Sequence, residues 1–419
     1  MSVEKKEPEI RFKRFSGEWE DISLLESIER VIDFRGRTPK KLGLEWSPSG
    51  YRALSALNVK QGYIDFSIDP HFGDQELYDK WMSGSELHQG QVLFTTEAPM
   101  GNVAQVPNAD KYILSQRTIA FVVKPKVITD AFLAVLLRSS KVFRELSVLS
   151  SGGTAKGVSQ KALANLNVLI PSDLDEQAAI GNYFQKLDSL INQHLQKHDK
   201  LSNIKKAMLE KMFPKQGATI PEIRFKGFSG EWEEQELSQV ADKITEKNTL
   251  LAHSETFTNS AEFGIISQRD YFDHDISNSN NIGGYYVVQP EDFVYNPRIS
   301  TFAPCGPINR NTLGRSGVMS PLYTVFRTKG VDTIFIEYFF QTNLWHTFMF
   351  LNGDTGARAD RFSIKNSVFF ELPLLLPSLN EQAVIGSYFQ KLDTLINQHQ
   401  QQITKLNNIK QACLNKMFV

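Results

Sequence analysis

The segment EQAAIGNYFQKLDSLINQHLQKHDKLSNIKKAMLEKMF, residues 176–213, returns as EQAVIGSYFQKLDTLINQHQQQITKLNNIKQACLNKMF at residues 381–418. A repeat of this kind decides the architecture before any single motif is read. In the first copy Ile180, Phe184, Leu187, Ile191, His194, His198, Leu201 and Met208 recur at alternating spacings of four and three, broken at Lys205. Ile385, Phe389, Leu392, Ile396, His399, Ile403, Leu406 and Cys413 repeat the pattern, with Lys410 where Lys205 falls. That period predicts two equivalent helices, each with a coiled-coil seam in which the histidines are polar breaks that fix register.

Asp173 and Ser378 stand three residues before Glu176 and Glu381, which predicts a capping box at each helix start, and Pro214 predicts where the first helix stops. A helix of this length extends about 55–60 Å, longer than one domain is wide. The simplest partner for each is the other copy. Because a whole domain separates them in the chain, an antiparallel pairing with pseudo-twofold symmetry, with one domain at each end, is the expected geometry.

A second repeat precedes each large segment: PEIRFKRFSGEWE at residues 8–20 and PEIRFKGFSGEWE at residues 221–233, differing only at Arg14 against Gly227. Between the repeats the two inserts share only faint echoes, such as ILSQRTIAFVVK from Ile113 and VMSPLYTVFRTK from Val318. The frame is copied and its contents differ. Within the inserts, runs such as GQVLFTTEAPMGNVAQV and GGYYVVQPEDFVYN read as short strands punctuated by Gly, Pro and Asn. ITDAFLAVLLRSSKVFREL and DTIFIEYFFQTNLWHTFMF carry apolar residues at helical spacing. The predicted fold class is therefore α+β. It comprises an N-terminal repeat element (1–20), a first domain (21–171), a central long helix (172–213), a linker with the second copy of the element (214–233), a second domain (234–377) and a C-terminal long helix (378–419).

Composition narrows the function. A 419-residue chain with 41% hydrophobic and 22% charged residues has material for more than one folded core. No leader-like apolar run follows the amino terminus and no stretch reaches eighteen apolar residues, so a cytoplasmic protein with no membrane contact is expected. Cys305 and Cys413 lack metal-ligand spacing, so neither zinc nor a disulfide is expected. A formal net charge of −1 argues against a protein that grips nucleic acid through phosphates alone. Asn296-Pro297-Arg298-Ile299 lacks the second proline and the aromatic of an adenine-methyltransferase motif. GGTAKGVS, at residues 152–159, has valine where a phosphate-binding loop needs lysine. No local pattern advertises a nucleophile.

Two unlike α+β domains, each followed by a copied long helix that opens on Glu-Gln, resemble the specificity (S) subunits of type I restriction-modification systems over essentially the whole chain. The words that carry the likeness are GRTP at residues 36–39, IPSDLDEQ at 170–177, LPSLNEQ at 376–382 and the RFxxFxGEWE element. The resemblance implies a non-catalytic, sequence-specific subunit that binds double-stranded DNA and recognises a bipartite, non-palindromic target through two target recognition domains. It implies two methylation subunits and restriction subunits as partners. It also implies that S-adenosylmethionine, ATP and magnesium belong to those partners, with no cofactor in this chain.

Base reading needs Arg or Lys against guanine and Asn or Gln against adenine. In the first domain Arg35, Arg37, Thr38, Lys40, Lys41, Gln116 and Arg117 lie beside Gly and Pro, and Lys156 is a phosphate candidate. In the second the candidates are Gln268, Arg269, Asn296, Arg298, Arg310, Arg315, Arg358 and Arg361, several in glycine-containing loops. Lys197, Lys200, Lys206 and Lys211 read as solvated charges on the helices. Two other function classes fit less well: a bivalent protein scaffold, which near-neutral charge would allow, and a fused restriction enzyme, which the missing motifs oppose.

Overall fold

The structure, a computed structural model, describes residues 6–68, 71–150, 157–271, 282–355 and 360–419. The chain forms two compact units, Met1–Gln196 with Gln400–Val419, and Lys197–His399. The first contains β1 (Glu20–Ser23), β2 (Ile28–Asp33), β3 (Tyr51–Leu54), β4 (Phe72–Gly73), α1 (Gln75–Met82), β5 (Val92–Thr95), β6 (Val103–Gln105), β7 (Tyr112–Leu114) and β8 (Thr118–Val123). There follow α2 (Asp130–Leu136), α3 (Ser140–Leu149), α4 (Gln160–Ala164), β9 (Asn167–Ile170) and the long helix α5 (Leu174–Lys211).

In the second unit the order is β10 (Glu233–Glu236), α6 (Leu237–Val240), β11 (Ala241–Lys243), β12 (Phe257–Ser260), β13 (Gly264–Ser267), α7 (Gln268–Tyr271), β14 (Tyr286–Val288), β15 (Phe293–Tyr295), β16 (Ile308–Arg310), β17 (Gly317–Met319) and β18 (Thr324–Thr328). The remainder is α8 (Thr333–Phe340), α9 (His346–Asn352), α10 (Asn366–Phe369), β19 (Pro373–Leu376) and the second long helix α11 (Leu379–Lys416).

The units repeat one topology. A four-stranded antiparallel sheet of order β2-β8-β5-β6 in the first is matched by β11-β18-β15-β16 in the second. The period of two along a strand explains why these central strands are apolar throughout. Val92 and Phe94 of β5 join the core shared with α2, whereas Leu93 between them joins a separate core with Trp81 and Leu114. On β15, Phe293 and Tyr295 face the core shared with α8, and Val294 faces the one with Phe257 and Met319.

Each long helix starts as the cap residues dictate, although the expected capping box does not form. Asp173 Oδ1 accepts from the Asp175 amide at 2.8 Å, and Ser378 Oγ from the Glu381 amide at 3.4 Å. Glu176 and Glu381, instead of reaching back, are 1% exposed and each held by two 2.7 Å bonds from an arginine of the repeated N-terminal element, Arg11 and Arg224 respectively. The neighbouring glutamines dock the domain: Gln177 Oε1 accepts from the Thr129 amide and Gln382 Oε1 from the Asp332 amide, both at 2.9 Å. A buried charge-assisted pair outcompetes a backbone cap because burying an unpaired carboxylate costs far more than leaving one amide to water. The first helix ends at Lys211, before Pro214, as expected.

Within each unit the two long helices run antiparallel. In the first, Tyr183, Phe184 and Asp188 of α5 meet Cys413, Phe418 and Lys410. In the second, Phe389 and Asp393 of α11 meet Phe213 and Lys205. The α+β class with an antiparallel pair of copied helices is therefore as expected. Gly181 of α5 allows close approach of α2, since a Cβ there would stand 2.6 Å from the Ala131 side chain.

Candidate nucleic-acid interface

Three loops close one rim of each unit at equivalent places: the segment after β3 or β12, the connection from β5 to β6 or from β15 to β16, and that from β7 to β8 or from β17 to β18. In the first unit they border a cavity of about 670 Å³ whose lining includes Thr38, Lys40, Trp46, Leu57, Gln116 and Arg117. In the second they border another of about 670 Å³, lined in part by Asn259, Gln268, Asn296, Arg298, Phe302 and Tyr323. Loops over a sheet scaffold can vary in sequence without disturbing either core, which is where recognition residues belong.

In the first unit the GRTP turn is built from its own side chains. Thr38 caps the short helix Pro39–Leu42, accepting from the Lys41 amide at 3.3 Å, and Lys41 Nζ donates to the Gly36 carbonyl at 2.6 Å. Arg37 donates to the Trp81 carbonyl and lies 4.2 Å over the Phe34 ring. Gln116 Nε2 donates to the Arg37 carbonyl at 3.0 Å, tying the β7–β8 loop to the turn. Arg35 grips Asp33, with Nη2 2.6 Å from Oδ2. Burial pushes the Asp33 carboxyl up, but the hydrogen bonds from the Arg35 side chain and amide outweigh it and hold it below the ordinary range. Arg117, in a left-handed backbone conformation with φ +63°, is 55% exposed and 3.3 Å from Glu97. Lys40 is exposed, and neither hydrogen bond nor ion pair engages its side chain among the described residues.

The second unit sorts its candidates differently. Arg310 stands on a strand, not in a loop, with its side chain 9% exposed between Glu291 at 2.6 Å and Glu337. Burial opposes its charge, and the two carboxylates more than restore it. Arg315 is forked onto Glu255 by two 2.8 Å bonds. Asn296 Nδ2 donates to the Asn259 carbonyl at 2.8 Å and its Oδ1 accepts from the Arg298 amide at 3.0 Å. Gln268 lines the cavity and Arg269 is exposed next to it. Arg298 and Arg361 oppose each other in an isolated antiparallel bridge. The structure thus gathers Thr38, Lys40, Gln116 and Arg117 at one cavity and Gln268, Asn296 and Arg298 at the other, and places Arg310 in a buried ion pair and Arg315 in a half-exposed one. Lys156 and Arg358 lie outside the described residues. Sequence reasoning missed Trp46 and Phe302, because a single aromatic among 29 Phe and 5 Trp carries no local signal of its place at a cavity.

Among the described residues no cluster of metal-binding side chains occurs, and no helix is long and apolar enough to cross a membrane.

Paired modules on copied supports, with unlike loops at equivalent rims, give the chain a duplicated design. A family model described as the type I restriction modification DNA specificity domain matches residues 31–203. The fold resembles the S subunit of a type I restriction-modification system from M. genitalium, with TM-score 0.57 and 13% identity over 99% of both chains. It overlaps the HsdS subunit from Thermoanaerobacter tengcongensis at TM-score 0.42 and 19% identity, covering 96% of each chain. A third structure, described as the basis of complex assembly and conformational transition of the type I R-M system, gives TM-score 0.47 and 18% identity over 94% of this chain and 96% of that one. No curated protein matches the chain. The family model thus covers most of the first domain and part of the first long helix, and the likeness to the M. genitalium structure is one of fold.

Proposed function

We propose that this chain reads a bipartite DNA target, one half with each unit, for partner subunits that carry out methylation and cleavage. The observation that carries this reading is the pair of cavities, bordered by equivalent loops in the two units but lined by different side chains, the first also by the turn after β2. Copied supports hold unlike readers, so one chain addresses two different half-sequences.

Lys40, Gln116 and Arg117 are the base-edge candidates of the first unit, with Arg35, Arg37, Thr38 and Lys41 shaping the turn that presents Lys40 and to which Gln116 is tied. In the second, Gln268, Arg269, Asn296, Arg298 and Arg361 face DNA, and Arg310 and Arg315 brace the sheet and loops behind. Lys or Arg to guanine and Gln or Asn to adenine are the pairings such groups make in the major groove. The long helices serve as spacer and as the docking surface for two methylation subunits and for restriction subunits. The chain supplies no chemistry, and S-adenosylmethionine, ATP and magnesium act in its partners in the cytoplasm. Near-neutral charge fits a reader whose partners clamp the phosphate backbone.

Co-expression with a type I methylation subunit should produce adenine methylation at a split sequence with a fixed gap. Methylation without sequence preference would overturn this function.

A further inference from the structure

The loop from β15 to β16 carries an aromatic where core packing does not need one. Its ends are fixed, with the Asn296 amide donating to the Pro307 carbonyl at 3.0 Å and Gly306, φ +88°, so close to Asn296 that a Cβ would press into its carbonyl. At the tip Ser300 and Ala303 exchange backbone bonds of 3.0 and 3.1 Å around Thr301 and Phe302. A two-residue hairpin of this kind ordinarily takes Asn, Asp or Gly. Here it carries Phe302, 81% exposed at the edge of the cavity, with Phe263 and Leu322 each 60% exposed on the two neighbouring loops. One exposed apolar side chain is ordinary, but three on the loops that surround one cavity mark a contact surface.

What lies against this surface is indicated by charge. Arg298, on the same loop, opposes Arg361: the Ile299 amide donates to the Asp360 carbonyl at 3.1 Å and the Phe362 amide to the Pro297 carbonyl at 2.7 Å. That pattern is a non-hydrogen-bonded antiparallel pair, in which facing side chains share one face at the closer of the two spacings. Neither guanidinium has a hydrogen bond or ion pair among the described residues, and like charges so placed repel. Glu262 is the acid that lines the cavity. Two unneutralised arginines side by side suit a phosphate backbone, which brings a base edge to the hairpin tip. An apolar group at a base edge has one specific target there, the C5-methyl of thymine.

We infer that Phe302 is a specificity-determining residue that reads a thymine methyl in the half-site addressed by the second unit. This rests on the proposed function and adds the chemical identity of one recognised base pair. Removing one methyl from an apolar contact weakens binding about fourfold.

The test uses the full chain assembled with methylation subunits and a duplex carrying the split sequence found by methylome profiling. Each thymine in both halves is replaced in turn by deoxyuridine, and binding is measured for the wild-type protein and for Phe302→Ala and Phe302→Leu. One replacement should weaken wild-type binding about fourfold. The same replacement should weaken Phe302→Ala no further, with Phe302→Leu intermediate, and sequence preference should relax at that position alone. Wild-type binding that ignores every methyl overturns the inference, as it would for an aromatic wedged between base steps. So does Phe302→Ala with an intact motif but weaker capture of methylation subunits, which would make the surface a protein contact. A wild-type complex with no sequence preference would instead refute the proposed function.

Discussion

Lys205 Nζ lies 2.6 Å from Asp393 Oδ1, and the equivalent groups with the helices exchanged, Lys410 Nζ and Asp188 Oδ1, are also 2.6 Å apart. Each lysine interrupts the apolar seam of one helix, and each aspartate sits in the first half of the other. Both pairs are mostly sheltered and have a second polar partner: Tyr338 hydroxyl on Asp393 at 2.7 Å, and Arg138 on Asp188 at 2.7 Å. Such a pair specifies orientation and register, because any slip leaves a charge against apolar side chains. Asp393→Lys should destabilise the protein to urea, and Lys205→Asp in the same chain should recover part of the loss, with a coupling of about 1 kcal/mol. Additive effects would show that the pair does not set register.

The Arg224–Glu381 pair is buried more deeply, with side chains 14% and 1% exposed. Glu381→Ala removes the buried carboxylate and leaves the Arg224 guanidinium only the Ser229 and Gly230 carbonyls, so a loss of about 2 kcal/mol is expected in equilibrium unfolding. Arg11 and Glu176 predict the same for the first unit.

Cys305 is fully buried, and burial pushes its thiol up to about 12. A raised value means that the reactive thiolate is scarce throughout neutral and mildly alkaline pH. Alkylation of the native protein at pH 8 should therefore spare Cys305, and denaturant should expose it. Rapid modification in the native state, located by peptide mapping, would contradict the packing described here.

Arg298→Ala combined with Arg361→Ala should weaken DNA binding by the assembled complex across all sequences. The slope of log affinity against log salt should fall by about one for each arginine that meets a phosphate. An unchanged slope would remove both from the interface.

Much of this was legible in the sequence because the signals of the frame are local and periodic. The seam spacing placed the helices, Pro214 placed an end, and the repeat placed both copies. The role of Glu176 and Glu381 was not legible: their spacing from Asp173 and Ser378 satisfies a capping pattern, and only the fold brings Arg11 and Arg224, far away in sequence, within reach. The same holds for the candidate site. Lys40 and Arg310 are both cations among Gly and polar residues, yet one is exposed at a cavity and the other is enclosed by two glutamates. Burial and partner charge are tertiary properties that no local pattern encodes.

Under the proposed function each unit reads its half of the target independently of the other. The most direct measurement is a methylome profile of cells that carry this chain and its methylation subunit, compared with cells carrying Lys40→Ala, Gln116→Ala and Arg117→Ala together. One half of the recognised sequence should relax or change while the other half and the gap stay as they were. Changes in both halves, or an altered gap, would contradict the account.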